Sequence, residues 1–190
     1  VKIVMNCEVT PELIKEEKPD SVIIATGSKT LILPIEGIDN PAIIHGSDLL
    51  DGKRAAGKKV LVVGGGMVGC ETAAFLGEQE HDVTVIEFRD TVGADVIHEH
   101  RVYLMKDFED YGIKEITGAK VCKFYEDGVE YETADGVRHE SRGYDSVILS
   151  MGFRNYNPLE EKIKDLVPET HVIGGCYPCK TCTGCNKRGL

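Results

Sequence analysis

No apolar run in this sequence approaches the eighteen or so consecutive residues that a membrane-spanning helix requires. The longest uninterrupted stretches are strand-sized, as in Val22-Ile-Ile-Ala25 and Val60-Leu-Val-Val63. Positive charge is also scarce: 22 Lys and Arg against 32 Asp and Glu leave a formal net charge of −10. Such a surface repels a phosphate backbone rather than neutralising it, which disfavours nucleic acid and, equally, an anionic membrane as partners. The acidity reads as ordinary surface solvation. The N-terminus, Val1-Lys-Ile-Val-Met-Asn, lacks both a secretory layout and an initiator Met, which points to a start inside a longer protein. Internal repeats and low-complexity segments are missing as well. What is present, 42% hydrophobic and 28% charged residues in a chain of 190, is a globular composition large enough for one domain and part of a second.

The seven cysteines fall into two groups. Cys7, Cys70 and Cys122 are scattered among apolar neighbours and read as reduced, buried thiols of a cytoplasmic protein. Cys176-x-x-Cys179-x-x-Cys182-x-x-Cys185 has metal-ligand spacing. Thiolates so spaced can converge on an iron–sulfur cluster, but the usual bacterial run ends C-x3-C-P. A structural zinc takes two C-x-x-C pairs set further apart. The run therefore leaves three readings open: a metal or cluster site, a disulfide, or free thiols.

Along the chain, Val1 to Val9 alternates like a strand. Thr10-Pro-Glu opens a helix, with Thr10 as N-cap and Pro11 at the first helical position; the helix ends by Lys18-Pro19. Ser21 to Ala25 is a continuous apolar run, as in a parallel strand covered on both faces, and it stops at Thr26-Gly27. Residues 28–46, with Pro34, Gly37 and Asp39-Asn-Pro41, read as an extended connector, after which Ser47-Asp48 caps a brief helix. A strand at Val60–Val63, a helix from about Met67 to Gly77 and a strand at Val83–Glu87 form a unit of about 28 residues, the size of a βαβ motif. A second long helix runs from His98 to Tyr111 and is closed by Gly112. The Asp-Gly turns at Asp127-Gly128 and Asp135-Gly136 then predict an antiparallel meander. A buried strand at Tyr144–Ser150, a helix around Pro158–Leu166 and a strand at His171–Gly174 complete an α/β pattern.

Chemistry concentrates at Gly64-Gly65-Gly66-Met67-Val68-Gly69. In such a loop Gly64 allows the tight turn out of the strand, Gly66 lets a pyrophosphate approach the backbone, and Gly69 lets the helix pack on the sheet. Unpaired N–H groups at the helix N-terminus favour the negative charge of the phosphates. An apolar strand before the loop, an apolar helix after it and an acid, Glu87, at the end of the next strand supply the context that makes the pattern specific. Without a ligand, the same glycines would form a plain strand-to-helix turn and Glu87 would be a solvated charge. With one, the Glu87 carboxylate accepts hydrogen bonds from both adenosine ribose hydroxyls and repels a 2′-phosphate, which favours NAD. Arg89 could reach a 2′-phosphate, so NADP stays open. We assign Glu87, Phe88 and Arg89 to the adenosine end.

Gly-Gly-Gly-Met-Val-Gly-Cys-Glu-Thr-Ala resembles the NAD(P)H-binding domain of the flavoproteins that include the pyridine nucleotide–disulfide reductases. The stretch from Val9 to about Gly174 is similar to the C-terminal part of the old yellow enzyme-like enoate reductases, 2,4-dienoyl-CoA reductases and NADH oxidases. Ala25-Thr26-Gly27 matches one domain crossover of that family; Leu149-Ser150-Met151-Gly152-Phe153-Arg154 matches the other, less strictly. The resemblance implies a Rossmann-type parallel sheet with an antiparallel β-meander crossover over residues 47–152. It also implies that residues 1–46 and 153–190 are an incomplete second dinucleotide-binding domain, for FAD or ADP. Glu71 matches a glutamate near the nicotinamide carboxamide, and Gly152 a glycine lining the nicotinamide site. FAD, together with FMN and a [4Fe–4S] cluster in the family's barrel half, belongs to the presumed full-length parent, whose flavin-binding parts would be partners of this chain. Two features depart from the pattern. Gly175 stands where the family has an aspartate that holds a ribityl or ribose hydroxyl, and the Cys-x4-Cys pair of the disulfide reductases is missing. The resemblance thus implies the NAD(P)H-binding portion of a flavin-dependent oxidoreductase acting on an enoate or 2,4-dienoyl substrate, with no catalytic side chain of its own. A contrasting reading is a non-catalytic nucleotide- or metal-binding redox module with a cysteine-rich tail.

Overall fold

The computed structural model describes residues 1–176. In chain order the elements are α1 (Pro11–Glu17), β1 (Ser21–Ile24), β2 (Ser28–Thr30), β3 (Ile44–His45), α2 (Gly46–Leu50), β4 (Lys59–Val63), α3 (Met67–Glu78), β5 (Asp82–Ile86) and α4 (His98–Asp110). They continue with β6 (Lys114–Ile116), β7 (Lys120–Tyr125), β8 (Gly128–Glu132), β9 (Arg138–Ser141), β10 (Ser146–Leu149), β11 (Phe153–Asn155), α5 (Glu160–Ile163), β12 (Glu169–Val172) and a short 3-10 turn at Gly174–Cys176. The chain divides into two compact units, one spanning Leu31–Gly152, the other joining Val1–Thr30 to the segment that begins at Phe153. The first of these starts ahead of the expected boundary at residue 47, because residues 31–46 contribute a strand to it.

The Leu31–Gly152 unit is the α/β fold read from the sequence. Its five-stranded sheet has the order β3-β10-β4-β5-β6, and every pairing is parallel. Beside it stands the three-stranded antiparallel meander β7-β8-β9, turned at the two Asp-Gly sites. β4 shows why its run is uninterrupted. Val60 and Val62 pack with Cys70, Ala73 and Leu76 of α3 and with Leu104 and Phe108 of α4. Leu61 and Val63, on alternate positions, pack with Phe124, Val129 and Tyr144 of the meander side. A strand covered on both faces has no polar face to alternate with. Each such side chain, taken fully from water, contributes about 1.5–3 kcal/mol. α3 buries Gly69, Cys70, Thr72, Ala73, Leu76 and Gly77, a stripe of helical period. α4 is closed by Gly112 in the left-handed conformation at φ +66°, as expected.

In the other unit, β1 pairs in parallel with β12, and β2 pairs antiparallel with β11. Its small core joins Ile14, Ile24, Ile163, Val167 and Cys176. Thr10 caps α1, accepting the Leu13 N–H through its hydroxyl at 3.3 Å.

Five local expectations need correction. Val1–Val9 forms no strand; it is exposed and has no ladder partner among the described residues, and an extended segment without one leaves its amides to water. Cys7 in that segment is exposed rather than buried, and Cys122, in β7, is half-buried. β1 is not covered on both faces: Ile23 is 65% exposed, since no described layer lies over it. Residues 28–46 are not wholly a connector, for they include β2 and β3. Finally, α2 starts at Gly46 with His45 as N-cap and no side-chain cap, so Ser47 and Asp48 lie within its first turn. Among the described residues no helix is long and apolar enough to cross a membrane.

Candidate functional site

The strand order reverses at β4: the chain moves to β5 and β6 on one side, while β10 and β3 lie on the other. In parallel sheets a ligand crevice opens at the carboxyl ends of the strands at such a reversal. Two segments assigned from sequence meet there. The glycine loop leaves the end of β4, and Ser150-Met151-Gly152 leaves the end of its neighbour β10, with the Ser150 N–H donating to the Val63 carbonyl at 2.8 Å.

The glycines differ in why they are needed. Gly64 has φ +107°, a region that side chains avoid, and a Cβ there would strike the Ser150 carbonyl. A Cβ at Gly69 would strike the Gly64 carbonyl, so the helix can pack this close only without one. Gly65 is confined by Glu87 and Val92, each with an atom 2.9 Å from where its Cβ would stand. Gly66 is another matter. Its backbone is extended, with φ −74° and ψ −175°, open to any residue. The nearest atoms a Cβ would meet belong to one exposed side chain, the Asp95 carboxylate, at 3.1 Å. The fold therefore demands glycine at 64 and 69, but not at 66.

The loop's amides are engaged by carboxylates. Gly65 N–H donates to Glu87 Oε2 at 2.6 Å, and Arg89 N–H donates to Glu87 Oε1 at 3.0 Å. Met67 N–H, at the start of α3, donates to Asp95 Oδ1 at 3.1 Å. Glu87 thus lies just past the end of β5, next to the glycine loop, as the spacing predicted. Phe88 and Arg89 follow on the exposed side. Glu71 sits in the second turn of α3, with Oε1 3.3 Å from His100 Nε2 of α4. Val68 is half-exposed in the first turn. Gly152 has φ +93°, with open space where a Cβ would be.

The sequence reading missed Asp95, His100 and the loop between β5 and α4. That loop crosses the glycine loop: Gly93 N–H donates to the Gly65 carbonyl at 2.7 Å, and Arg101 Nη2 holds Thr91 Oγ1 at 2.9 Å and the Val92 carbonyl at 3.2 Å. Only the Gly93-Ala-Asp95 turn hinted at it, and nothing in its spacing names Met67 as the target.

The Cys70 thiol is no nucleophile. Cys70 is buried beneath the loop and donates to the Gly65 carbonyl at 3.3 Å; burial pushes its thiol up to about 12, so it stays neutral. Cys176 is buried and donates to the Ile24 and Ile173 carbonyls at 3.2 and 2.7 Å. Cys179, Cys182 and Cys185, the rest of the proposed ligand run, lie outside the described residues. Gly175 lies against Gly27, whose carbonyl carbon is 3.4 Å from the position of an added Cβ.

A family model for pyridine nucleotide-disulphide oxidoreductases matches residues 3–173. Bilirubin reductase from Mediterraneibacter gnavus (strain CC55_001C) is 33% identical over 165 residues, covering 87% of this chain and 25% of that protein. Cinnamate reductase from Clostridium sporogenes is 29% identical over 177 residues, covering 92% of this chain and 26% of that one. The solved structure of 2-naphthoyl-CoA reductase with 2-naphthoyl-CoA aligns with a TM-score of 0.83 at 32% identity, over 94% of this chain and 27% of that chain. The chain thus spans about a quarter of the length of these relatives. By sequence and by fold, the chain belongs to the pyridine nucleotide-disulphide oxidoreductase family.

Proposed function

We propose that the Leu31–Gly152 unit binds NAD(P)H on the glycine loop, as the nicotinamide-nucleotide portion of a flavin-dependent oxidoreductase. Gly66 carries this reading. The fold leaves that position free to hold a side chain, and a glycine there has its use in letting a phosphate come close to the backbone. The residues fit the group. Met67 and Val68 offer N–H donors at the positive end of α3. Glu87, already oriented by Gly65 and Arg89, has carboxylate lone pairs for ribose hydroxyls. Gly152 leaves room beside the end of β10. Bound there, the dinucleotide supplies a hydride; the chain's own residues bind it and orient it. The Glu87 charge favours NAD over NADP, with Arg89 as the residue that would take a 2′-phosphate.

The segments Val1–Thr30 and 153–190 we assign to part of an FAD- or ADP-binding domain. Gly175 supplies no carboxylate for a ribityl hydroxyl, so FAD is not placed on this chain's residues. The hydride's destination is a flavin of the parent protein, which in the old yellow enzyme-like branch also holds FMN and a [4Fe–4S] cluster. An enoate-type substrate is supported by the name of the cinnamate reductase, since cinnamate is an α,β-unsaturated acid.

Thermal shift of the full chain with NADH, NADPH and FAD tests the reading. Stabilisation by NADH, and its loss in Gly66→Val with the chain still folding cooperatively, is the expected result. Equal NADH binding by Gly66→Val would show that the loop is only a turn.

A further inference from the structure

We infer that Asp95 competes with the dinucleotide for the phosphate-binding amide and thereby sets its affinity; this rests on the NAD(P)H reading above. Its carboxylate occupies two features of the site at once. Oδ1 takes the Met67 N–H at 3.1 Å, and Oδ2 stands 3.1 Å from the point where a Cβ on Gly66 would be. A helix N-terminus attracts any anion, and here the chain provides its own. One N–H cannot serve a carboxylate and a phosphate together, and two anions at that spacing repel.

The backbone that carries Asp95 is anchored by its own contacts, whereas its exposed side chain is held through the Met67 N–H. Gly93, at φ +63°, donates to the Gly65 carbonyl, and Val92 is buried against the glycine loop. Those contacts bring residue 95 over Gly66 in every copy of the fold. Asp95 itself is exposed, and its side chain has room to turn out to water. The site is thus competent only in the fraction of molecules whose Asp95 has swung away, and the apparent dissociation constant rises by the inverse of that fraction. For occupancies of about 80–90%, removing the carboxylate altogether tightens binding about five- to tenfold.

Isothermal titration of NADH into the full chain, as wild type, Asp95→Asn and Asp95→Ala, tests this. The Asn variant keeps an acceptor of the same shape and loses only the charge, which guards against a folding artefact in the Ala variant. Asp95→Ala should bind NADH about five- to tenfold more tightly, and Asp95→Asn, whose neutral oxygen still accepts from Met67 N–H, more tightly than wild type by a smaller factor; loss of the carboxylate at the start of α3 should lower the apo melting temperature slightly rather than raise it. The Met67 amide resonance should shift in apo Asp95→Ala, and again when NADH is added to wild type. NADH binding by wild type at least as tight as that of both variants would overturn the role of Asp95 and leave the dinucleotide reading standing. Failure of wild type and variants alike to bind NADH would overturn both.

Discussion

The Glu87 carboxylate holds the backbone N–H of Gly65 at 2.6 Å, tying the end of β5 to the turn that leaves β4. The acid assigned to the ribose is thus also a strut of the loop that holds the phosphates. Two effects should separate by substitution. Glu87→Gln keeps the shape and an acceptor while losing the charge, so NADH should bind about tenfold more weakly and the preference over NADPH should narrow. Glu87→Ala also leaves Gly65 N–H without its partner, at a cost of about 1–3 kcal/mol of stability. Calorimetric titration with both nucleotides, together with denaturant melts, reads the two effects independently.

The glycines should sort into two classes. Gly69→Ala drives a methyl into the Gly64 carbonyl and should cost about 3 kcal/mol, seen as a lowered urea midpoint with or without nucleotide. Gly66→Ala, at the N-cap of α3 with only an exposed side chain before it, should lower that midpoint far less and act mainly on NADH affinity.

The buried thiol of Cys70 gives the fold a pH dependence of known sign. Its ionisation is pushed by burial from 9.0 to about 12. The native state therefore keeps a proton that the unfolded chain releases, and stability falls as pH rises from about 9 towards 12, by at most about 1.4 kcal/mol per pH unit. Comparing melting temperatures of wild type and Cys70→Ala between pH 8 and 11 isolates this contribution; parallel curves for the two proteins would refute it. At pH 8 an alkylating reagent should label exposed Cys7 well before Cys70.

The Thr10 cap is a local test of the smaller unit. Thr10→Ala removes the acceptor for Leu13 N–H and should destabilise α1 by about 1 kcal/mol, measured by hydrogen exchange of the amides at the start of that helix.

Much of this molecule could be read from spacing. The β4 run, the α3 stripe, the Gly112 stop, the Asp-Gly hairpins and the Thr10 cap each depend on interactions within a few residues, or on which face of one element is apolar. Those are properties that a sequence states directly. The Val1–Val9 strand failed because alternation describes a candidate strand, while pairing needs a neighbour. The same limit applies to β1, whose apolar run carries no information about what covers it.

By itself, then, the sequence determined the βαβ unit, its glycine turn and the acid placed to meet it, because backbone conformation and hydrophobic period are set locally. Tertiary structure alone decided the strand order that brings Ser150 and Met151 against Gly64. It also decided which glycines the fold requires and which it does not. The approach of Asp95 to Met67 belongs to the same level: it depends on a loop laid across the glycine turn by the packing of Val92 and the Gly93–Gly65 hydrogen bond, a contact between residues far apart in the chain that no periodicity encodes.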